Sequence, residues 1–380
     1  MGKSRAVPGL LKRINEREVL GTIRAGAPIS RAEISRRAGI SKPTVSLALQ
    51  SLLESGLVRE AERGPDGPGY GAVYFEPVAE AALVLGLDLG ARFVRGAVCD
   101  LTGAIRARQD VELVVADAAG AIEAIARLRT SLLETSGLDS SLVDGVVVGV
   151  PGVVEGDGTL SLAENVAGLE GRPFARELQA ALELAVTLEN DINLAALGEQ
   201  WQGVARGVAD FVFLSVGTGM GAGLVLGGEL HRGRHGAAGE IDFALVGLGE
   251  TVDPSAPQVS ALARELAGLQ ADPRAVFGAA RNGDAGARAV VREVARRIAL
   301  HVAPIAAVAD VELVVLGGGI AANGDLLLDP VERLLADWLP FPPRVEVSTL
   351  GEAAVLTGAL AVGLNAALEN VFTKRAAVPA

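Results

Sequence analysis

The chain has 380 residues, half of them hydrophobic and 3% aromatic, with a formal net charge of −12. That length holds two or three domains with a sizeable core, and the hydrophobic fraction excludes a disordered chain. One cysteine, Cys99, excludes an intrachain disulfide and a multi-cysteine metal site, and its apolar surroundings predict a packed core thiol.

The charge is unevenly spread. Residues 1–59 carry 11 basic and 4 acidic side chains, whereas the remainder carries 23 and 42. A basic head on an acidic body is expected to present only the head to a polyanion. No apolar run reaches the roughly 18–20 residues that span a bilayer, and the charged N-terminus lacks a secretory core. The expectation is a soluble, cytoplasmic chain without membrane contact.

In chain order, Leu11, Ile14, Val19, Leu20 and Ile23 predict a helix over 11–24, ended by Gly26-Ala27-Pro28. Ser30, with Glu33 three residues on, predicts a capping box and a short helix 31–38. After a turn at Gly39, Ser41 caps a third helix running to about Ser55, with Pro43 in its first turn. Val45, Leu49, Leu52 and Leu53 form its buried stripe; Lys42, Thr44, Ser46 and Gln50 lie off it. A strand from Gly56, a Gly/Pro-rich tip over 63–71 and a returning strand at 72–75 complete a winged helix-turn-helix. Ser41, Lys42, Thr44, Ser46 and Gln50 are expected at base edges and phosphates of DNA, and Arg31, Arg36, Arg37 and Arg63 at phosphates. The alternative is a head that binds only protein. The head is assigned residues 1–75, followed by a short linker, 76–82.

The stretch Leu85–Gly103 opens the body with a strand, a tight turn at Asp88-Leu89-Gly90, a second strand and a polar turn. Backbone amides and a carboxylate at the mouth of a sheet suit a phosphate and its metal ion, although Ala91-Arg92 stands where small hydroxylated residues would cradle it better. Helix 118–136, strand 143–150, a loop-rich stretch 153–171 holding Asn165, helix 174–182, strand 185–188 and helix 192–202 follow. Glu189-Asn190-Asp191 falls at a strand end, where open α/β sheets place their sites; Asp191 is otherwise the N-cap of the next helix. Strand, glycine turn, strand and polar turn recur at 211–229 around Gly217-Thr218-Gly219-Met220-Gly221, which predicts an internal duplication enclosing a cleft. Helices 260–268 and 286–309, a strand 313–316 running into Gly317-Gly318-Gly319, and a last helix 352–369 complete the body. The three glycines either admit a ligand or make a structural turn. His231 and His235 are expected to be exposed, and the tail from Lys374 disordered.

Asp88-Leu89-Gly90, Glu189-Asn190-Asp191, Gly217-Thr218-Gly219-Met220-Gly221, Ala238-Gly239-Glu240 and Gly317-Gly318-Gly319 resemble, in this order, the motifs of the ROK family of bacterial repressors, unassigned frames and sugar kinases. The resemblance runs from residue 11 to about residue 369. It implies an α/β chain: an N-terminal winged helix-turn-helix, then a duplicated actin-like ATPase body with an interdomain cleft. Subdomain I would be 83–203 with helix 352–370 returning to it, subdomain II 204–351, and 371–380 a tail. The resemblance implies Asp191 as catalytic base of an active kinase and Asn165, Asn190, Asp191 and Glu240 around a sugar's hydroxyls. It places Asp88, Gly90, Gly217, Thr218, Gly219, Gly221, Gly317, Gly318 and Gly319 at phosphate-loop positions.

Three departures argue against catalysis. Gly90-Ala91-Arg92 replaces the family's Gly-Gly-Thr; Phe243 stands where Gly-Glu-x-Gly-His would have its histidine; and residues 244–262, where a zinc-binding segment should lie, hold neither Cys nor His. The expectation is a sugar-responsive regulator, not an enzyme. Its partners would be operator DNA, a sugar or sugar phosphate, and at least one further copy of itself; it would hold no zinc, ATP or magnesium. The alternatives are an ATP-dependent sugar kinase with a DNA-binding head, and a regulator without a small-molecule ligand.

Overall fold

Local signals build the head. The computed structural model describes residues 8–62, 72–163, 166–243 and 252–376. Helix α1 (Pro8–Gly26) leads through β1 (Ile29–Ser30) into α2 (Arg31–Ala38) and α3 (Lys42–Glu54). Ser30 caps α2 by accepting from the Glu33 amide at 3.3 Å, and Ser41 caps α3 by accepting from the Thr44 amide at 3.4 Å. Strands β2 (Val58–Glu60) and β3 (Tyr74–Pro77) pair antiparallel, with β1 on the far side of β3. The wing tip 63–71, including Arg63, lies outside the described residues.

Strand β3 continues through Pro77, a 3-10 turn spans Ala79–Ala81, and Ala82 is buried. The Val78 amide donates to Leu57 O and the Leu101 amide to Ala79 O, both at 2.9 Å. The stretch read as a linker, 76–82, is therefore packed against both head and body. Val19, Leu20 and Ile23 of α1 share one buried cluster with Val84, Ala97, Cys99, Leu356, Leu360 and Leu364 of the body. Cys99 is the expected core thiol, and burial pushes it up to about 12.

The body's first half is β4 (Leu83–Leu89), β5 (Phe93–Asp100), β6 (Ile105–Glu112), α4 (Ala118–Ser136), β7 (Val143–Val150), the short pair β8 (Val153–Val154) and β9 (Leu160–Ser161), α5 (Phe174–Leu182), β10 (Val186–Asn190) and α6 (Asp191–Gln202). The second is β11 (Phe211–Val216), β12 (Met220–Leu226), β13 (Glu229–Leu230), α7 (Ala256–Ala267), α8 (Pro273–Arg281), α9 (Ala285–Ala309), β14 (Leu313–Gly317), α10 (Gly318–Ala321), α11 (Gly324–Trp338), β15 (Arg344–Val347) and α12 (Ala354–Ala376). The main sheets run β6-β5-β4-β7-β10 and β13-β12-β11-β14-β15. In each, the leading strand sits between an antiparallel neighbour and a parallel one. The predicted duplication is thus a repeat of topology.

Several elements escaped the sequence reading. Strand β6 is largely polar and exposed, so it shows no apolar alternation. Helix α11 carries Pro330 inside it, a signal that ordinarily stops a helix. Helix α12 runs to Ala376, so the tail expected from 371 is helical at its start; residues 377–380 lie outside the described ones. The window Gly351–Asn370 does meet the length and apolarity of a membrane span, with mean hydropathy 1.4, contrary to the expectation that no stretch does. It is a core helix, packed on β4, β7 and α6, with 56% of the window buried.

The two closing helices meet where each half ends. α6 packs on β11 and β12, and α12 returns to β4 and β7. They cross at glycines: a Cβ on Gly358 would lie 1.8 Å from Leu194 O, and one on Gly198 would lie 2.3 Å from Ala354 O. Any larger residue would separate the helices.

Candidate functional site

On the head, Arg31, Arg36, Arg37, Ser41, Lys42 and Gln50 are exposed, while Thr44 and Ser46 are half-buried. Glu33, expected to close a capping box, places its carboxylate on Arg36 and on Arg37 (Nε 2.6 Å). Those guanidiniums hold Glu33 below the usual carboxylate range. The Ser41 and Thr44 hydroxyls bond each other at 2.8 Å, and Ser46 donates to Lys42 O at 2.9 Å. These three hydroxyls therefore shape the start of α3 as well as facing outward. Gln50 donates to Glu54 at 2.9 Å.

In the body, the carboxyl end of β10 delivers the polar cluster. Asn190, not Asp191, is the N-cap of α6: its Oδ1 accepts from the Asn193 amide at 2.9 Å, while its Nδ2 donates to Gly152 O at 3.0 Å. The side chain expected to hold a sugar hydroxyl thus has both ends engaged. Asp191, in the first turn, accepts from the Ile192 amide at 2.8 Å and remains half-buried. Burial pushes its carboxyl up to about 7, and Asp88 and Glu240 add to the rise. Asp88, in β4 of the first half, and Glu240, beyond β13 in the second, thus both bear on Asp191. Glu240 is itself raised, first by burial and then by Asp242. Asn165 lies outside the described residues, and His231 and His235 are exposed as expected.

The raised carboxyl of Asp191 makes a signed prediction. The folded chain binds this proton more tightly than the unfolded chain, so stability falls as pH rises from about 4 to about 7 and the cost then stays constant. Asp191→Asn is expected to stabilise the chain by about 1–3 kcal/mol at pH 8, after discounting for solvent access, and by almost nothing near pH 4. Urea midpoints at both pH values check this.

Arg95 was missed by sequence reasoning. The β4–β5 register sets Arg95 directly opposite Asp88, and the guanidinium lies 3.3 Å from the carboxylate. Arg95 also reaches Glu352 at 3.3 Å and Asp110 at 3.7 Å. Arg92, the cation singled out from the sequence, is exposed and lies 5.6 Å from the Phe93 ring centre. The cation paired with Asp88 is therefore Arg95, not Arg92. Burial nevertheless pushes Asp88 up to about 6, against the pull of Arg95.

The glycine turns separate into two kinds. Gly221 lies in β12, where a Cβ would sit 2.4 Å from Ile192 of α6; Gly317 ends β14 against the Phe213 ring. Both are packing positions. Gly90 closes its hairpin by donating to Phe93 O at 2.9 Å. Gly217, Thr218 and Gly319 instead line a pocket of about 540 Å³ in the second half, with Arg274, Arg281 and Asn323. Arg281 is already paired with Asp325 at 2.6 Å. Gly318, with φ +85°, has its would-be Cβ 2.5 Å from Val216 O.

A second missed feature joins the halves. Arg232, beyond β13, pairs with the buried Glu189 of β10 at 2.6 Å, and Glu189 also accepts from Asn193 Nδ2 at 3.0 Å. The loop carrying Arg232 and Glu240 is thereby fastened to the strand end that carries Asn190 and Asp191.

Residues 84–252 and 255–367 match the ROK family, and residues 11–67 match the MarR family. The chain belongs to the ROK family. A xylose repressor of Caldicellulosiruptor bescii is 28% identical over 389 residues, covering 93% of this chain and 96% of that protein. A glucokinase of Thermotoga maritima is 30% identical over 310 residues, 73% of this chain and 96% of its own. A crystal structure of a ROK family transcriptional regulator, a homologue of the E. coli MLC protein, superposes with a TM-score of 0.79 at 21% identity, over 96% of this chain and 98% of that one. The last likeness establishes the fold. A winged helix ahead of a ROK body makes this chain a DNA-binding transcriptional regulator of that family.

Proposed function

We propose that this ROK regulator represses transcription as a dimer, and that a sugar or sugar phosphate bound beside Asp191 and Glu240 changes its hold on an operator. Catalysis of phosphoryl transfer is not part of this reading: Arg95, paired with Asp88, would compete with any metal ion for that carboxylate. The observation that carries the reading is the continuity of packing from Asp191 to the head. Asp191 begins α6, α6 crosses α12 at Gly198 and Gly358, and Leu356, Leu360 and Leu364 of α12 lie in the head's own core. Arg17 of α1 adds an exposed ion pair to Glu369 at 2.8 Å. Carboxylates flanking a cleft suit a polyol, since each accepts from neighbouring hydroxyls. A ligand that draws the cleft closed moves α6, and α6 cannot move without α12. The ligand acts only through different affinities for the two states.

The test is a thermal-shift panel of pentoses, hexoses and their phosphates, followed by gel shifts with DNA upstream of the chain's own gene. The expected result is one ligand that raises Tm and changes operator affinity by about 5–150-fold. A panel in which no compound moves either quantity overturns the effector part of the reading.

The kinase reading has one observation in its favour: Asp191, with its carboxyl near 7, is poised as a general base. Coupled ADP release across the same panel separates the two. Turnover that Asp191→Asn abolishes would establish the kinase.

A further inference from the structure

The outward face of α3 presents an apolar side chain at its centre. Leu47 is 68% exposed, whereas Val45, Ala48, Leu49 and Leu52 form the opposite, buried face. Pro43, one turn before it, is also exposed, and Ser46 and Gln50 flank it. A helical side chain leans toward the N-terminus, so Leu47 covers the turn that begins at Pro43, giving a short apolar ridge. The polar neighbours have local partners: Ser46 on Lys42 O, Thr44 on Ser41 and Gln50 on Glu54. After Lys42 the helix carries no further cation, and the basic side chains of the head are concentrated on α1 and α2.

In the major groove each base pair shows hydrogen-bonding groups, and thymine alone adds an apolar one, its 5-methyl. A leucine at the centre of an inserted helix loses its water there whatever the sequence. Only a methyl gives it an apolar surface to cover. We infer that Leu47 reads a thymine through its 5-methyl group and is a specificity-determining residue of the head. The inference rests on the reading that α3 enters duplex DNA, and it assigns the base class that the centre of α3 selects. Phosphate contacts from Lys42 and from Arg31, Arg36 and Arg37 set affinity without choosing a base.

The experiment uses the full-length chain. Duplexes are selected from a random library, and each thymine of the enriched site is then replaced singly by deoxyuridine, which removes only the methyl. At one position per half-site the wild type is expected to lose about three- to fivefold in affinity, the worth of one buried methyl group. Leu47→Ala is expected to bind the thymine and uracil duplexes there equally. Lys42→Ala serves as the control: it weakens all duplexes alike, lowers the salt slope by about one, and keeps the thymine-to-uracil ratio. Indifference of the wild type to uracil at every position overturns the inference, as does full methyl discrimination retained by Leu47→Ala. Light scattering that shows Leu47→Ala dissociating a dimer also overturns it, by assigning the side chain to a protein contact. Failure to enrich any duplex overturns both this inference and the DNA-binding reading beneath it.

Discussion

Arg95→Ala is expected to destabilise the chain by about 2–4 kcal/mol at pH 8 and far less at pH 4.5. Asp88 is 6% exposed, and Arg95 is the cation opposite it, 3.3 Å away. Removing one member of a buried pair leaves the other charged and desolvated, which costs more than the pair contributes. The lower part of the range applies because the Arg95 side chain is 21% exposed and water screens it. The pH dependence follows from Asp88, whose carboxyl lies near 6 in the folded chain. Below that pH it is protonated and Arg95 has little to neutralise; above it the orphaned charge must be carried. Denaturation midpoints across pH 4.5–8 would show the loss growing through pH 6. Arg95→Ala combined with Asp88→Asn should recover most of it, and a loss independent of pH would sink the ion-pair account.

Gly358→Ala is expected to cost about 3 kcal/mol or more, because its Cβ would lie 1.8 Å from the Leu194 carbonyl, which is helix backbone and cannot swing aside. Either α6 or α12 must shift. α6 carries Asp191, and α12 carries Leu360 and Leu364 of the head core, so the shift reaches both ends. The second expected result is weaker coupling: in a variant that still folds, the ligand's effect on operator affinity falls toward unity even where ligand binding survives. Gly278→Ala is the matching control, since nothing lies within 4 Å of that Cβ and it sits inside α8. It should be neutral or stabilising by about 1 kcal/mol. Thermal melts, ligand titrations and gel shifts on the two variants separate packing from coupling; equal behaviour of the two would rule out the crossing as the link.

The head was legible because its signals are local. Ser30 and Ser41 cap the helices they precede, and Gly39 takes the left-handed turn, φ +66°, that ends α2. The duplication was legible because a strand, a glycine turn and a strand recur. At the site, reading along the chain did not find the cation that meets Asp88. Arg92 follows Gly90 in sequence, but the hairpin register aims Arg95 at Asp88. The same register could have been counted out from the turn: if Gly90 and Phe93 close the hairpin, residues 88 and 95 face each other. No such count reaches Arg232 and Glu189, 43 residues apart in different halves, or Ser348 and the buried Glu199, 149 apart.

By itself the sequence determined the winged head, the repeated body and the family, because caps, glycine turns, apolar period and charge segregation act over a few residues. Only the tertiary structure decided which polar groups are already spent. Asn190 is consumed as a cap, Asp88 is held by Arg95, Gly221 and Gly317 are packed shut, and Asp191 is left half-buried with one bond, from the Ile192 amide. It also decided that the head is seated on α12, with the stretch before β4 packed against it. The physical reason is one: whether a carboxylate is free, paired or desolvated depends on what a distant strand or helix places within about 4 Å of it, and sequence spacing does not carry that distance.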